Sequence, residues 1–275
     1  VTGFPPLDTS APLYMTPPST EAIQHHISAG RLGAITTPAQ GNRMREGWWW
    51  CADNGVFGGA YPGHEAFLTW LRSMRHLAPW CLFVVAPDVV GDAFRSISRS
   101  YEMLGRIRDL GFPVALVAQD RMEFCDFWDW DDFDALFVGG STAWKLSDAA
   151  GNLARVARSI GKHVHVGRVS SLLRSRIARD LHHAHTIDGT YITRAPDKNL
   201  ARVLAWRRAM LAELRAGLPA GALPLDLRPA VARDLDPYDG AYQAGWDAEA
   251  AARIASLRRA ALTVPEQLDL LSPVA

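Results

Sequence analysis

The sequence predicts a (β/α)8 barrel, and three observations lead there. Eight short apolar runs alternate with amphipathic stretches over most of the chain. Several runs are apolar at nearly every residue, as expected of parallel strands covered on both faces. A length of 275 residues is the usual size of one such barrel. Eight repeats favour a closed barrel over an open, doubly wound sheet.

The candidate strands are, in order, APLYMTP (11–17), LGAITTP (32–38), WWWCADN (48–54), CLFVVAPD (81–88), PVALVAQD (113–120), ALFVGG (135–140), HVHVGR (163–168) and HTIDGTY (185–191). Helical spacing of apolar residues marks 64–77, 93–111, 141–161 and 170–184, with Gly111 and Gly161 at expected helix stops. Little helix is expected between the first two strands, and the acidic, aromatic segment 122–134 has room only for a short one. Residues 199–216 form an amphipathic helix that follows the eighth strand. The expected organisation is therefore one barrel domain over 1–216. A C-terminal extension over 217–275 follows, irregular where Pro, Gly and Asp concentrate and helical over about 241–262.

Composition narrows the class. Hydrophobic residues make up 48% and charged residues 21%, which is ordinary for a globular protein. No apolar run reaches the ~18 residues that span a bilayer, and the first residues lack a basic segment followed by an apolar one. No membrane partner and a cytoplasmic location are expected. Cys51, Cys81 and Cys125 are an odd, widely spaced set, which argues against a disulfide framework or a zinc knuckle. Net charge is zero, but residues 155–208 hold 12 basic and 3 acidic side chains. That block suits either a phosphate-facing surface or solvated outer helix faces.

In a barrel of this kind, chemistry comes from strand C-termini and the loops after them. The polar residues there are Asp53 with Asn54 and Gly55, Asp88, Gln119 with Asp120, Gly139 with Gly140, Gly167 with Arg168, and Asp188 with Gly189. Any one of these aspartates has an alternative use as a helix cap or turn former, Asp120 above all. Asp53, Asp88 and Asp188 end three different strands and are candidates to converge. Two carboxylates facing one substrate suit glycosidic chemistry, one at the anomeric carbon and the other moving a proton at the leaving group. Adjacent Gly139 and Gly140 allow a planar ligand close to the backbone. Gln119 can donate and accept, which suits the amide edge of a heterocycle. The histidines of HHAH (His182, His183, His185) match no standard zinc spacing, although His163 and His165 alternate on a strand and share a face. Trp48, Trp49 and Trp50 either stack a base or divide between barrel core and helix layer. Neither a Gly-rich phosphate loop nor a G-x-S-x-G elbow occurs. No cofactor and no metal are expected.

Six segments taken in order resemble the tRNA-guanine transglycosylase superfamily. They are ADNGVF (52–57), APD (86–88), VAQD (117–120), FVGG (137–140), VHVGRVSS (164–171) and HTIDGTYITR (185–194), spread over roughly residues 30–210. The likeness is nearer to the small phage and bacterial relatives that place 7-deazaguanine bases in DNA. It implies that Asp188 is the nucleophile at C1′ and Asp53 the general acid/base. Asp88, Gln119, Gly139 and Gly140 would bind the base, while Asn54, Arg168 and Arg194 would contact substrate or backbone. The family's zinc site of three cysteines and a histidine is absent, Asn-Gly follows Asp53 where the family has Ser-Gly, and Arg168 stands where it has a smaller residue. Loss of the zinc region, which helps seat tRNA, favours DNA as the acceptor, with tRNA the alternative and a free 7-deazaguanine such as preQ0 as the incoming base. Base excision by water and a non-catalytic nucleic-acid binder are the remaining readings from the resemblance. Unrelated barrel enzymes, metal-dependent ones included, stand outside it.

Overall fold

A computed structural model of the chain describes residues 7–126 and 128–216. Eight parallel strands close in chain order: β1 (Leu13–Thr16), β2 (Gly33–Thr36), β3 (Trp50–Ala52), β4 (Cys81–Val85), β5 (Val114–Ala118), β6 (Ala135–Val138), β7 (His163–Val166) and β8 (Thr186–Asp188). β8 pairs back onto β1 with Met15 beside Asp188, so the sheet has no free edge and is a (β/α)8 barrel. All eight expected strands are present.

Alternation along each strand divides the core in two. Leu13, Met15, Ile35, Cys51, Phe83, Val85, Ala115, Val117 and Ala135 form the buried filling of the barrel, with Phe137 packed against them. Their neighbours one residue away, such as Tyr14, Ala34, Trp50, Val84, Leu116, Leu136, Val164 and Ile187, pack outward beneath the helices. The tryptophan run splits by the same rule. Trp48 and Trp50 lie in the helix layer, donating to Ser28 Oγ at 2.9 Å and the Leu77 carbonyl at 3.0 Å, while Trp49 packs against the barrel filling. All three precede or begin β3, at the end of that strand opposite Asp53.

The helices are α1 (Glu21–Ser28), α2 (His64–Ser73), α3 (Ala93–Arg108), α4 (Thr142–Lys145), α5 (Asp148–Ser159), α6 (Leu172–Asp180), α7 (Tyr191–Arg194) and α8 (Pro196–Arg215). Three differences from the sequence expectation have local causes. A helix does join the first two strands: Thr20 caps α1 by accepting from Ile23 N at 3.2 Å, and Ile23 and Ile27 bury one face. It is the β2–β3 connection that contains no helix. Residues 141–161 form two helices, because Ser147 takes an extended backbone and caps a new start at Asp148. The segment 122–134 makes two 3-10 turns, Met122–Phe124 and Trp130–Asp132, in place of one short helix. Trp128, Trp130 and Phe133 cluster there with ring centroids 4.6–5.8 Å apart, so aromatic packing replaces helical repeat.

The extension expected over 217–275, with its helix over 241–262, lies outside the described residues. Among the described residues no helix is long and apolar enough to cross a membrane.

Candidate active site

The strand C-termini carry a connected polar layer above the apolar filling. Gln119, at the end of β5, is its hub. Its Nε2 donates to Asp88 Oδ2 at 2.7 Å, and its Oε1 accepts from Gly140 N at 2.9 Å and Gly91 N at 3.0 Å. Asn54 closes the other side, donating Nδ2 to Asp88 Oδ1 at 3.0 Å and to the Ala86 carbonyl at 2.8 Å. Asn54, Asp88 and Gln119 are all buried. Burial pushes the Asp88 carboxyl above the usual carboxylate range, with the Asn54 and Gln119 hydrogen bonds opposing. This platform therefore joins the ends of β3, β4 and β5 through three side chains, and reaches the end of β6 through the Gly140 backbone N–H.

Asp53 and Asp188 flank it. Asp53 follows β3 and accepts from Gly55 N at 2.7 Å. Burial is the main cause that raises its carboxyl to about 7, the Gly55 hydrogen bond pulls the other way, and the charges of Asp188 and Asp88 raise it further. A carboxyl with a midpoint near neutrality suits proton transfer in both directions. Asp188 ends β8 and keeps 22% of its side chain exposed. Its Oδ1 accepts from His165 Nε2 at 3.1 Å and from Arg168 N at 3.2 Å. The two carboxylates thus differ in surroundings, one desolvated and the other held by two N–H donors.

Asp120 is structural. Its carboxylate accepts from Ser141 N at 2.6 Å and Ser141 Oγ at 2.5 Å, fixing the start of α4. The glycine pair also has packing reasons. A Cβ on Gly139 would lie 2.8 Å from Val117 Cγ1. Gly140 has φ +68°, and a Cβ there would lie 2.7 Å from both Asp120 Oδ2 and Trp144. Gly140→Ala therefore combines left-handed backbone with overpacking and should cost about 2–4 kcal/mol. Calorimetry should register a melting point lower by roughly 6–12 °C, and an unchanged one would show that α4 yields freely.

Arg168 has φ +60°, rare for a residue with a Cβ, directly beside the Asp188 contact. Its guanidinium donates to the Gly140 carbonyl and sits 4.9 Å from the exposed Phe57 ring, so it ties the loops after β3, β6 and β7 together. Arg194 is exposed on α7, in the segment that follows β8. Much of the basic block serves helix packing: Arg176 and Arg179 pair with Glu213, Arg179 also with Asp180, and Arg207 with Asp8. Arg194, Lys198, Arg202 and Arg208 remain exposed along α7 and α8.

His165 was not among the sequence candidates for catalysis. The signal available was its alternation with His163, but its contact with Asp188 depends on the β7–β8 register, which pairs His165 with Thr186. The other histidines disperse. His182 is buried against the Lys145 carbonyl at 2.7 Å, His183 is exposed, and His185 accepts from Val164 N at 2.9 Å. Among the described residues, no three His, Cys, Asp or Glu side chains are grouped to hold a metal ion. The three cysteines are free thiols.

The fold and the polar layer together define a (β/α)8 barrel of the architecture used by many enzymes, with carboxylates at its C-terminal mouth. No protein-family profile and no curated protein matches the chain. Among solved structures it is similar to the BexX/CysO complex of Amycolatopsis orientalis at 16% identity, covering 78% of this chain and 94% of that one with a TM-score of 0.49. It is also similar to the tryptophan synthase complex of Pyrococcus furiosus (12% identity, 75% and 98% coverage, TM-score 0.43). A GH113 β-1,4-mannanase gives 11% identity, 72% and 98% coverage and a TM-score of 0.42. These values carry no functional argument, and the barrel assignment rests on the closed strand register itself.

Proposed function

We propose that the protein is a base-exchange glycosyltransferase that replaces guanine in DNA with a 7-deazaguanine base such as preQ0. The observation that carries this reading is the pair of unlike carboxylates beside the Asn54–Asp88–Gln119 platform. Asp188 Oδ2 attacks C1′ of the target nucleoside as the C1′–N9 bond breaks. The bond's electron pair leaves with guanine, which takes a proton from Asp53. The resulting aspartyl–glycosyl ester is opened by the incoming base, whose N9 proton returns to Asp53 and whose attack on C1′ releases Asp188 as a carboxylate. Two displacements retain the anomeric configuration.

Guanine's amide edge fits the platform chemically. Asp88 supplies acceptors for the ring and exocyclic N–H groups, and Gln119 has a second Nε2 hydrogen for a carbonyl oxygen. Asp88→Asn would place a third amide NH2 against those of Asn54 and Gln119 and remove the charge that accepts from the base. The KM for the incoming base should rise about 10- to 100-fold, with kcat changed less. Steady-state kinetics with the free base check this, and an unchanged KM would remove Asp88 from base recognition.

A duplex target must leave the stack to reach a barrel mouth. Arg194, followed on α8 by Lys198 and Arg202 one turn apart, supplies exposed positive charge just after the Asp188 strand, suited to a phosphate backbone. The direct test is exchange of labelled guanine into DNA and into tRNA, run in parallel. Incorporation into DNA supports the proposal, while incorporation into tRNA alone would reassign the acceptor. Free guanine released with no incoming base would make the protein a glycosidase.

A further inference from the structure

The interior of the barrel holds a polar chain among apolar residues, and it ends on Asp188. His163 Nε2 lies 2.8 Å from Thr186 Oγ1, and the same oxygen lies 2.8 Å from His165 Nδ1. His165 Nε2 then meets Asp188 Oδ1. His165 and Thr186 are both fully buried. The His165 ring is wedged between Phe83 and Phe137, with centroids at 5.1 and 4.5 Å, and His163 stacks on His185 at 4.6 Å. Apolar side chains of the same volume would fill this space without any need to satisfy ring nitrogens. A hydrogen-bonded chain there is costly unless every member is paired.

We propose that His165 is a positioning residue for the Asp188 nucleophile, held as the Nε2–H tautomer by a one-directional relay that runs from His163 through Thr186. The inference rests on the reading of Asp188 as a nucleophile. A nucleophilic carboxylate has no proton to give, so the hydrogen on the Asp188 contact belongs to His165 Nε2. With that proton on Nε2 alone, as the proposal requires, Nδ1 accepts, and Thr186 spends its single hydroxyl hydrogen there. Thr186 Oγ1 in turn accepts from His163 Nε2–H. Burial, with the neighbouring His185, His165 and Arg158, holds His163 neutral by lowering it well below the ordinary histidine range. Every donor in the chain therefore points toward Asp188.

The consequence is geometric. Oδ1 is occupied by His165 and the Arg168 N–H, and among the described residues Oδ2 accepts no hydrogen bond. The carboxylate is thereby turned with one oxygen fixed and the other presented to the mouth. When the ester opens, negative charge returns to a carboxylate whose Oδ1 already faces two donors, so no reorganisation is needed at that moment.

The test uses the full chain. Long-range 1H–15N correlation spectra should show His165, identified by loss of its signals in His165→Gln, with a protonated Nε2 and an unprotonated Nδ1. Thr186→Val keeps the volume and deletes the hydroxyl, and should shift His165 to a mixture of tautomers. In the exchange assay it should lower kcat about tenfold with the KM for the base unchanged, and Thr186→Ser should restore both the tautomer and the rate. A His165 protonated at both nitrogens, or at Nδ1 alone, would overturn the proposal, as would Thr186→Val matching the parent in tautomer and kcat. The spectra need no turnover. A protein inactive in base exchange but with the expected tautomer would therefore fail the functional reading and not the relay, whereas an active one with the wrong tautomer would fail the relay alone.

Discussion

Asp188→Asn should abolish covalent capture of a nucleic-acid substrate and lower exchange by at least about 10^4-fold, the scale seen when a nucleophile is removed from a covalent mechanism. The amide is nearly isosteric, and its oxygen can still accept from His165 Nε2 and Arg168 N. The melting temperature should therefore stay close to that of the parent. Asp188→Ala is a poorer variant, because it strands two N–H donors at the mouth and mixes a stability loss of about 1–3 kcal/mol per donor into the result. The measurement is a denaturing gel of acid-quenched enzyme with labelled DNA. An adduct that persists in the asparagine variant would place the nucleophile elsewhere.

Asp53→Asn should show opposite effects on activity and stability. Loss of the proton-transfer group should cost about 10^2- to 10^4-fold in kcat. Stability should rise at alkaline pH. The folded carboxyl titrates near 7, above the unfolded value of about 4, so the folded state binds the extra proton across that window. Stability contributed by the neutral acid is present below about pH 4 and is lost as pH rises through 7. The amide cannot ionise and escapes that loss. It should be more stable than the parent above pH 7 by roughly 2–4 kcal/mol, with the difference vanishing in acid. Melting curves at the two ends of the window decide this. Equal stability throughout would mean that Asp53 is an ordinary solvated carboxylate. A parent kcat that falls as pH rises through about 7 would agree with the same ionisation.

The sequence carried the barrel well because a parallel strand under helices is apolar on both faces, and several of these runs end on a polar residue at the mouth. CLFVVAPD and PVALVAQD show both the strength and the limit of that pattern. Both end in aspartate, yet Asp88 joins the polar platform and Asp120 caps α4 through Ser141. The difference lies in which neighbouring strand end each one faces, and that is a property of closure and register. His165 was hidden for the same reason: it becomes a partner of Asp188 only when β7 and β8 pair with His165 beside Thr186. α1 escaped notice because its buried face is just Ile23 and Ile27, too little for a periodic signal without the Thr20 cap. The role of Gly140 also reads differently once packing is known. Its N–H is already given to Gln119 and its carbonyl to Arg168, so its position shapes the platform.

The most direct single measurement is nucleoside mass spectrometry on guanine-containing DNA after incubation with the purified protein and preQ0. The deazaguanine nucleoside should appear with the parent protein and be absent with Asp188→Asn. Folded protein that leaves the DNA nucleosides unchanged, or an Asp188→Asn variant that still inserts the base, would contradict base exchange through this carboxylate.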